Sequence, residues 1–279
     1  MSDHSIASVK RQALSQGVDP IDIDVLLAFA LQKDRTFLFT WPETSLTPEQ
    51  YSLFTDLLDR RAQGEPIAYL VGEREFWSLT IKTDTSTLIP RPDTEVLVET
   101  VLSHFDQQPI RCIDLGTGTG AIALALKSER PNWQVTGTDR LQAAVELARE
   151  NAQRLKLNVD FETRHWCAGL APDSVQVFVS NPPYIDVADP HLSQGDVRFE
   201  PASALVAGDS GLSDIQQIAV EAFVCLKENG ALFFEHGWQQ GEAVRSILQQ
   251  SGFQQVQTVV DYGGNERVSF GFKRPSPKQ

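Results

Sequence analysis

The order of apolar and polar positions divides this 279-residue chain into two stretches of different period. Up to residue 70 the pattern is helical. Val25, Leu26, Phe29 and Ala30 recur at helical spacing, and Asp22 or Asp24 is expected to cap the start. Thr47-Pro48-Glu49-Gln50 reads as a helix opening, with Thr47 as cap, proline at the first position and Gln50 three residues after the cap. Tyr51, Phe54, Leu57 and Leu58 continue that helix, and Gly64 closes it. Short helices joined by small loops predict a bundle with no catalytic signal of its own. Phe76 to Ile81 then alternates as a strand does. In Leu88-Ile89-Pro90-Arg91-Pro92 each proline fixes its own φ and restricts the residue before it, so the chain stays extended. Residues 74–92 are accordingly read as a hairpin linker between domains.

After residue 93 strands alternate with helices. Strands are expected at 111–115, 134–138, 159–162, 175–180, 231–235, 256–261 and 267–272. Helices are expected at 121–127, 141–155, 214–226 and 240–249. Alternation of this kind predicts an α/β fold, a doubly wound seven-stranded sheet, mostly parallel, closed by a C-terminal antiparallel hairpin. The expected domains are a helical one over 1–73, the linker over 74–92 and a catalytic one over 93–279. Ligands of such sheets sit beyond the carboxyl ends of the strands, so motifs placed there carry the most weight.

Composition narrows the partners. The formal net charge is −13, and residues 1–90 hold 8 Lys and Arg against 13 Asp and Glu while 91–279 hold 16 against 24. Neither stretch offers the basic field that supplies most affinity for nucleic acid, so no direct nucleic-acid contact is expected. The longest apolar run, Val25 to Leu31, is too short to span a bilayer, and no signal peptide or membrane partner is expected. Cys112, Cys167 and Cys225 are far apart with no Cys-x-x-Cys pair, which suits the reducing cytoplasm rather than a disulfide framework or a zinc cluster. No His/Asp/Glu set has metal-ligand spacing, so no metal is expected. Residues 273–279 read as a frayed tail.

Two strand ends carry chemistry. The first reads Asp114-Leu115-Gly116-Thr117-Gly118-Thr119-Gly120, followed by a helix start. Alternate glycines let the backbone turn tightly and approach a ligand, and the helix N-terminus presents N–H groups to an anionic group. Asp139 closes the next strand 21 residues after Gly118, the distance at which an acid binds ribose hydroxyls in nucleotide folds. The loop also satisfies the dinucleotide fingerprint, so spacing alone leaves S-adenosyl-L-methionine and NAD both open.

The second end is Asn181-Pro182-Pro183-Tyr184. It suits methylation of a planar nitrogen, whose delocalised lone pair makes it a poor nucleophile. The Asn181 side-chain carbonyl and the Pro182 backbone carbonyl can accept its two N–H bonds. Proline fixes the direction of that carbonyl, and Tyr184 offers a flat face to the substrate group. Hydride transfer has no use for such a loop.

With these residues in order the chain resembles class I S-adenosyl-L-methionine-dependent methyltransferases of the Asn-Pro-Pro-Tyr group. More closely, it resembles the bacterial release factor glutamine methyltransferase family. The likeness covers nearly the whole chain. It includes Gly64-Glu-Pro-Ile-Ala-Tyr69, Gly72-Glu-Arg-Glu-Phe76-Trp77 and Leu88-Ile-Pro-Arg-Pro-Asp-Thr-Glu95. It continues through Asp196-Val-Arg-Phe-Glu200-Pro201, Glu235-His-Gly-Trp238 and Asp261-Tyr-Gly-Gly-Asn-Glu-Arg267. The resemblance implies methylation of the glutamine in the Gly-Gly-Gln motif of peptide chain release factors. It also implies a helical N-terminal substrate-recognition domain.

Cofactor contacts are implied at Asp114, Gly116 to Gly120, Asp139, Trp166 and Asn181, and substrate contacts at Asn181 to Tyr184. His165 stands where the family often has an acid, and it is read as a surface residue. Arg91 and Glu95 are expected to border the cofactor pocket and Glu200-Pro201 to shape its rim, with His236 and Trp238 in packing roles. Rival readings are a glutamine methyltransferase of a ribosomal protein and an adenine-N6 methyltransferase. An oxidoreductase or a plain nucleotide-binding module stands further off.

Overall fold

The structure is a computed structural model that describes residues 4–275. It divides into two compact units: residues up to Glu73 together with Ser193–Phe199, and Arg74–Leu192 together with residues from Glu200 on.

The first unit is helical: α1 (Ile6–Leu14), α2 (Pro20–Leu31), α3 (Arg35–Thr40), α4 (Pro48–Ala62) and α5 (Ile67–Val71). The opening of α4 forms as expected, a capping box in which Gln50 N donates to Thr47 Oγ1 at 3.2 Å and Thr47 N to Gln50 Oε1 at 2.9 Å. The start of α2 differs. Asp19 is its cap, accepting from Ile21 N at 2.7 Å, with Pro20 in the first position. Asp22 and Asp24 are committed elsewhere, to Arg61 at 2.6 Å and to Lys10 at 2.5 Å. The core gathers Ile23, Leu26, Leu27, Phe54, Leu57 and Leu58. Ser193–Phe199 joins this unit through Arg61 to Asp196 at 3.2 Å and Arg198 to the Gln63 carbonyl at 2.6 Å.

The second unit opens with a two-stranded hairpin, β1 (Glu73–Phe76) and β2 (Leu79–Lys82). The expected single strand over 76–81 is therefore broken. Trp77 and Ser78 both adopt left-handed backbone, φ +53° and +58°, and form the turn. Such turns favour Asn-Gly, so Trp-Ser gives no signal. Two carboxylates hold it: Glu95 accepts from Trp77 N, and Glu129 from the Trp77 indole N–H, both at 2.9 Å. Phe76 and Ile81 are buried in the second unit's core, so the hairpin belongs to that unit and is not a free linker.

Next come α6 (Glu95–His104), β3 (Arg111–Leu115), α7 (Ala121–Glu129), β4 (Gln134–Asp139), α8 (Gln142–Leu155), β5 (Asp160–Thr163) and β6 (Val175–Ser180). The short pieces β7 (Ile185–Asp186), α9 (Ala202–Leu205), β8 (Val206–Ala207) and α10 (Gly208–Gly211) lead into α11 (Ser213–Cys225) and β9 (Leu226–Glu235). The chain then forms α12 (Gly241–Gln250), β10 (Gln254–Val260) and β11 (Glu266–Phe272). The seven-stranded sheet has the order β10-β11-β9-β6-β3-β4-β5, with β11 antiparallel to both neighbours and the remaining pairs parallel.

One face is covered by α6, α7 and α8 and the other by α11 and α12, which is why β3 and β6 read as nearly continuous apolar runs. Asn151 of α8 is fully buried and ties β2 to the loop after β3. It accepts from Lys82 N at 2.7 Å and donates to the carbonyls of Lys82 and Thr119, each at 3.0 Å. At the other end Lys273 is fixed, pairing with Gly230 and Asn229 backbone, so the expected frayed tail does not start there; 276–279 lie outside the described residues.

Gly137 in β4 is needed for space. A Cβ there would stand 2.5 Å from the Phe161 ring and 2.6 Å from Thr117 Oγ1. Gly137→Ala is expected to cost about 1–3 kcal/mol through overpacking, read as a lowered midpoint of urea unfolding.

Candidate active site

The parallel strands end level with one another, and their carboxyl ends open on a cavity with about 950 Å³ of empty space, open solvent at its mouth included. Its apolar walls with a few convergent polar groups are those of a small-molecule site. Gly116, Thr117, Gly118 and Thr119 form one wall; Asp139, Trp166 and Asn181 contribute to the others.

Gly116, Gly118 and Gly120 all have left-handed backbone, φ +73°, +54° and +84°. The loop folds back on β4: the amides of Gly116 and Thr117 both donate to the Thr138 carbonyl at 2.8 Å. A Cβ at Gly116 would come within 3.3 Å of the Trp166 ring, so glycine here lets loop and indole close on one another. Asp139 is held by two backbone amides, Gly118 N to Oδ2 at 3.1 Å and Leu141 N to Oδ1 at 2.9 Å, and still faces the cavity.

Asp114 has a different position. It lies wholly buried beneath the loop and is not part of the cavity wall. Its Oδ2 accepts from the Thr117 hydroxyl at 2.6 Å, and Oδ1 has no protein partner. Burial, reinforced by the nearby Asp139 charge, pushes its carboxyl up to about 7. Gly120 is also off the wall; it starts α7 where Phe161 and Ala148 leave no room for a side chain.

Trp166 stands on left-handed backbone, φ +43°, almost fully buried, with Nε1 unpartnered. His165 is exposed, as read from the sequence, and its ring, 5.4 Å from the indole, also lines the cavity. Asp214, at the start of α11, borders the same region; burial raises its carboxyl, and Arg140 and His165 oppose that shift. Nothing in the sequence marked Asp214, because an acid in a helix's first turn is ordinary.

At the end of β6, Asn181 reaches the cavity. Its Nδ2 donates to Thr94 Oγ1 at 3.3 Å, and its Oδ1 is buried without a protein partner. Pro183 lines the cavity beside it; Pro182 and Tyr184 stand behind. The Tyr184 hydroxyl donates to Glu235 Oε1 at 3.5 Å. Burial pushes the Tyr184 phenol well up, so it stays neutral and acts as a donor. Glu235 is wholly buried and raised to about 7 by that burial, with Thr94 and Arg267 favouring its charged form and Asp93 opposing it.

Arg91 borders the cavity as expected and pairs with buried Glu200, which also accepts from Ile89 N at 2.9 Å. Glu95 does not reach the cavity, being taken up by the hairpin turn. His236 is a packing residue, bonded to Ser269 Oγ at 2.8 Å and kept neutral by burial. Trp238, expected to pack, is 58% exposed. Among the described residues no group of three or more His, Cys, Asp or Glu could hold a metal ion.

Comparison with known proteins adds to this geometry. A family model described as the PrmC N-terminal domain matches residues 11–72, and one described as the methyltransferase small domain matches 92–204. The release factor glutamine methyltransferase of Salmonella typhimurium (strain LT2) is 53% identical over 251 residues, 90% of this chain and 91% of that protein. The enzyme of the same name from Escherichia coli (strain K12) is 52% identical over the same shares. Among solved structures, a methyltransferase from Pyrococcus furiosus superposes with a TM-score of 0.56 at 19% identity, over 79% of this chain and all of that one, a likeness of fold.

Asp114 gives a test that needs no ligand. Its folded-state carboxyl is raised, so folding takes up a proton, and this group's contribution to stability falls as pH rises from about 4 to about 7. Asp114→Asn removes the titration. Between pH 5 and pH 8 the parent is expected to lose on the order of 2 kcal/mol more than the variant, measured by urea unfolding.

Proposed function

The chain belongs to the release factor glutamine methyltransferase family, and we propose that it transfers the methyl group of S-adenosyl-L-methionine to a glutamine side-chain amide nitrogen. The glutamine is that of the Gly-Gly-Gln motif of peptide chain release factors. The observation that carries the reading is Asn181 Oδ1, a buried amide oxygen without a protein partner at the edge of the cavity. A buried acceptor left unmade costs about 1–3 kcal/mol, a cost that a substrate N–H removes.

The residues fit the methyl donor. The glycine loop leaves room for close backbone approach, and the Asp139 carboxylate, fixed by two amides, suits a pair of ribose hydroxyls. The Trp166 indole, held against Gly116, provides an apolar wall for adenine, and its free Nε1–H a polar handle. When bound, S-adenosyl-L-methionine supplies an electrophilic methyl group on a sulfonium.

Asn181 Oδ1 accepts one N–H of the glutamine amide, and the Pro182 carbonyl accepts the other. Both draw electron density toward nitrogen and hold its lone pair in line. Positioning of this kind is worth up to about 7–11 kcal/mol in well-oriented systems. No strong base is required, because the nitrogen becomes acidic once it carries the methyl group. Tyr184, neutral and anchored on Glu235, backs the loop as a rigid plane. Asp114 acts one layer below, holding Thr117 and through it the loop.

The helical domain is assigned to recognition of the protein substrate. The reaction is placed in the cytoplasm, where release factors act. Three buried free thiols support that placement, and no helix among the described residues is long and apolar enough to cross a membrane.

Labelled S-adenosyl-L-methionine offered with purified release factor, ribosomal protein or duplex DNA should label only the Gly-Gly-Gln glutamine, located by mass spectrometry. Label on nucleic acid or on another protein would overturn the substrate assignment. Asn181→Ala is expected to lower kcat by roughly 10²–10³-fold with the donor's affinity retained in calorimetry. Asp139→Ala should do the reverse, weakening donor binding by roughly tenfold or more as a charged hydrogen-bond acceptor is lost.

A further inference from the structure

Of the fragments singled out in the sequence, Asp93-Thr94 before α6 and Arg267 in β11 have no part in the chemistry just described, and Glu235 at the end of β9 enters it only as the anchor of Tyr184. They converge behind the Asn-Pro-Pro-Tyr loop. Thr94 is buried and stands at the N-cap of α6, where a threonine hydroxyl ordinarily accepts a backbone N–H of the first turn. It makes no such bond. Its hydroxyl instead accepts from Asn181 Nδ2 at 3.3 Å, and it stands near enough to Glu235 to favour that carboxyl's charged form. Arg267 pairs with Asp93 at 3.3 Å and with Asp261 at 3.0 Å, which fixes the neighbouring residue of the same turn.

Donor and acceptor counting gives this arrangement a direction. A side-chain amide has a donor end and an acceptor end of almost equal shape, and either can face a cavity. A threonine hydroxyl carries one hydrogen. Glu235 Oε1 receives the Tyr184 hydroxyl at 3.5 Å. Lone pairs of the Thr94 hydroxyl face Asn181 and match the NH₂ end of its amide, the end that lies 3.3 Å away. Oδ1 is thereby turned to the cavity, where it is found unpartnered.

We propose that Thr94 is a positioning residue of the methyl transfer, its hydroxyl setting which end of the Asn181 amide faces the substrate. The proposal rests on the role given to Asn181 above. Removing the hydroxyl lets the amide turn over and present N–H to N–H, an arrangement that cannot hold the substrate nitrogen.

The test is a double-mutant cycle with single-turnover methylation of purified release factor as readout and calorimetry with S-adenosyl-L-methionine as control. Thr94→Val, which keeps the shape and loses the hydroxyl, is expected to lower the rate roughly tenfold or more, with donor affinity unchanged within about twofold. Thr94→Ser restores the hydroxyl and is expected to recover the rate to within about threefold. In an Asn181→Ala background, Thr94→Val should add nothing, because the residue it orients is gone. Three results would each overturn the proposal: an unchanged rate in Thr94→Val, a Ser variant as slow as Val, or the full Thr94→Val effect persisting without Asn181. A Thr94→Val variant that loses donor binding in step with rate marks a purely structural role and also overturns it. If Asn181→Ala alone keeps full activity, the assignment of the site falls, and the positioning role falls with it. A slow Asn181→Ala beside a fast Thr94→Val overturns the positioning role only.

Discussion

The site depends on the parallel register of four neighbouring strands. Leu115 of β3 lies opposite Thr138 of β4 and Ser180 of β6, and Ser180 lies opposite Phe234 of β9. The strands thus finish level, and the residue after each of these four positions stands at the same edge: Gly116, Asp139, Asn181 and Glu235. Evenly spaced parallel hydrogen bonds allow no slippage here, since a shift of one residue would turn every buried side chain to the other face. Both faces are covered, so every strand is held by packing as well as by its ladder.

What could be read from the sequence was what is local. The glycine loop, the acid 21 residues on and the Asn-Pro-Pro-Tyr turn are short patterns whose meaning comes from their place at strand ends, and alternation of period showed where those ends are. The capping box at Thr47 was equally legible because four adjacent residues make it. The Trp77-Ser78 turn was not, since its left-handed backbone is stabilised by Glu95 and Glu129, one of them far along the chain. Asp114 looked like a ligand contact but lies under the loop, because an acid two residues before a tight turn is carried inside by the strand that bears it. Asp214 carried no signal, and Thr94 and Glu235, though inside fragments that carry the family resemblance, had no role legible there, because their neighbours in space come from strands and helices far apart in the sequence.

Two buried carboxyls flank the cavity, and burial drives both toward neutrality. Asp114 supports the side where the methyl donor is proposed to lie, and Glu235 the side of the amide loop. Neither is placed to take a proton from substrate. Their value is in direction: each holds a hydroxyl, Thr117 in one case and Tyr184 in the other, and that hydroxyl's residue belongs to a loop at the site. A strong charge in the cavity is therefore unnecessary, which suits a reaction in which a cationic donor meets a neutral amide.

The place of β6 in the sheet bears on how the protein is made. One of its partners, β3, precedes it in the chain, but the other, β9, follows only after α11. As the chain leaves the ribosome, β6 stands with one row of N–H and C=O groups open and the apolar run Val-Phe-Val exposed, the conditions under which strands pair with the wrong partner. Asn181 itself sits at the end of this half-paired strand. Until β9 and then β11 are in place there is no Glu235 and no Arg267 behind it. A nascent chain therefore carries the glycine loop early and the residues behind Asn181 late, and the open edge of β6 is covered only when β9 pairs with it.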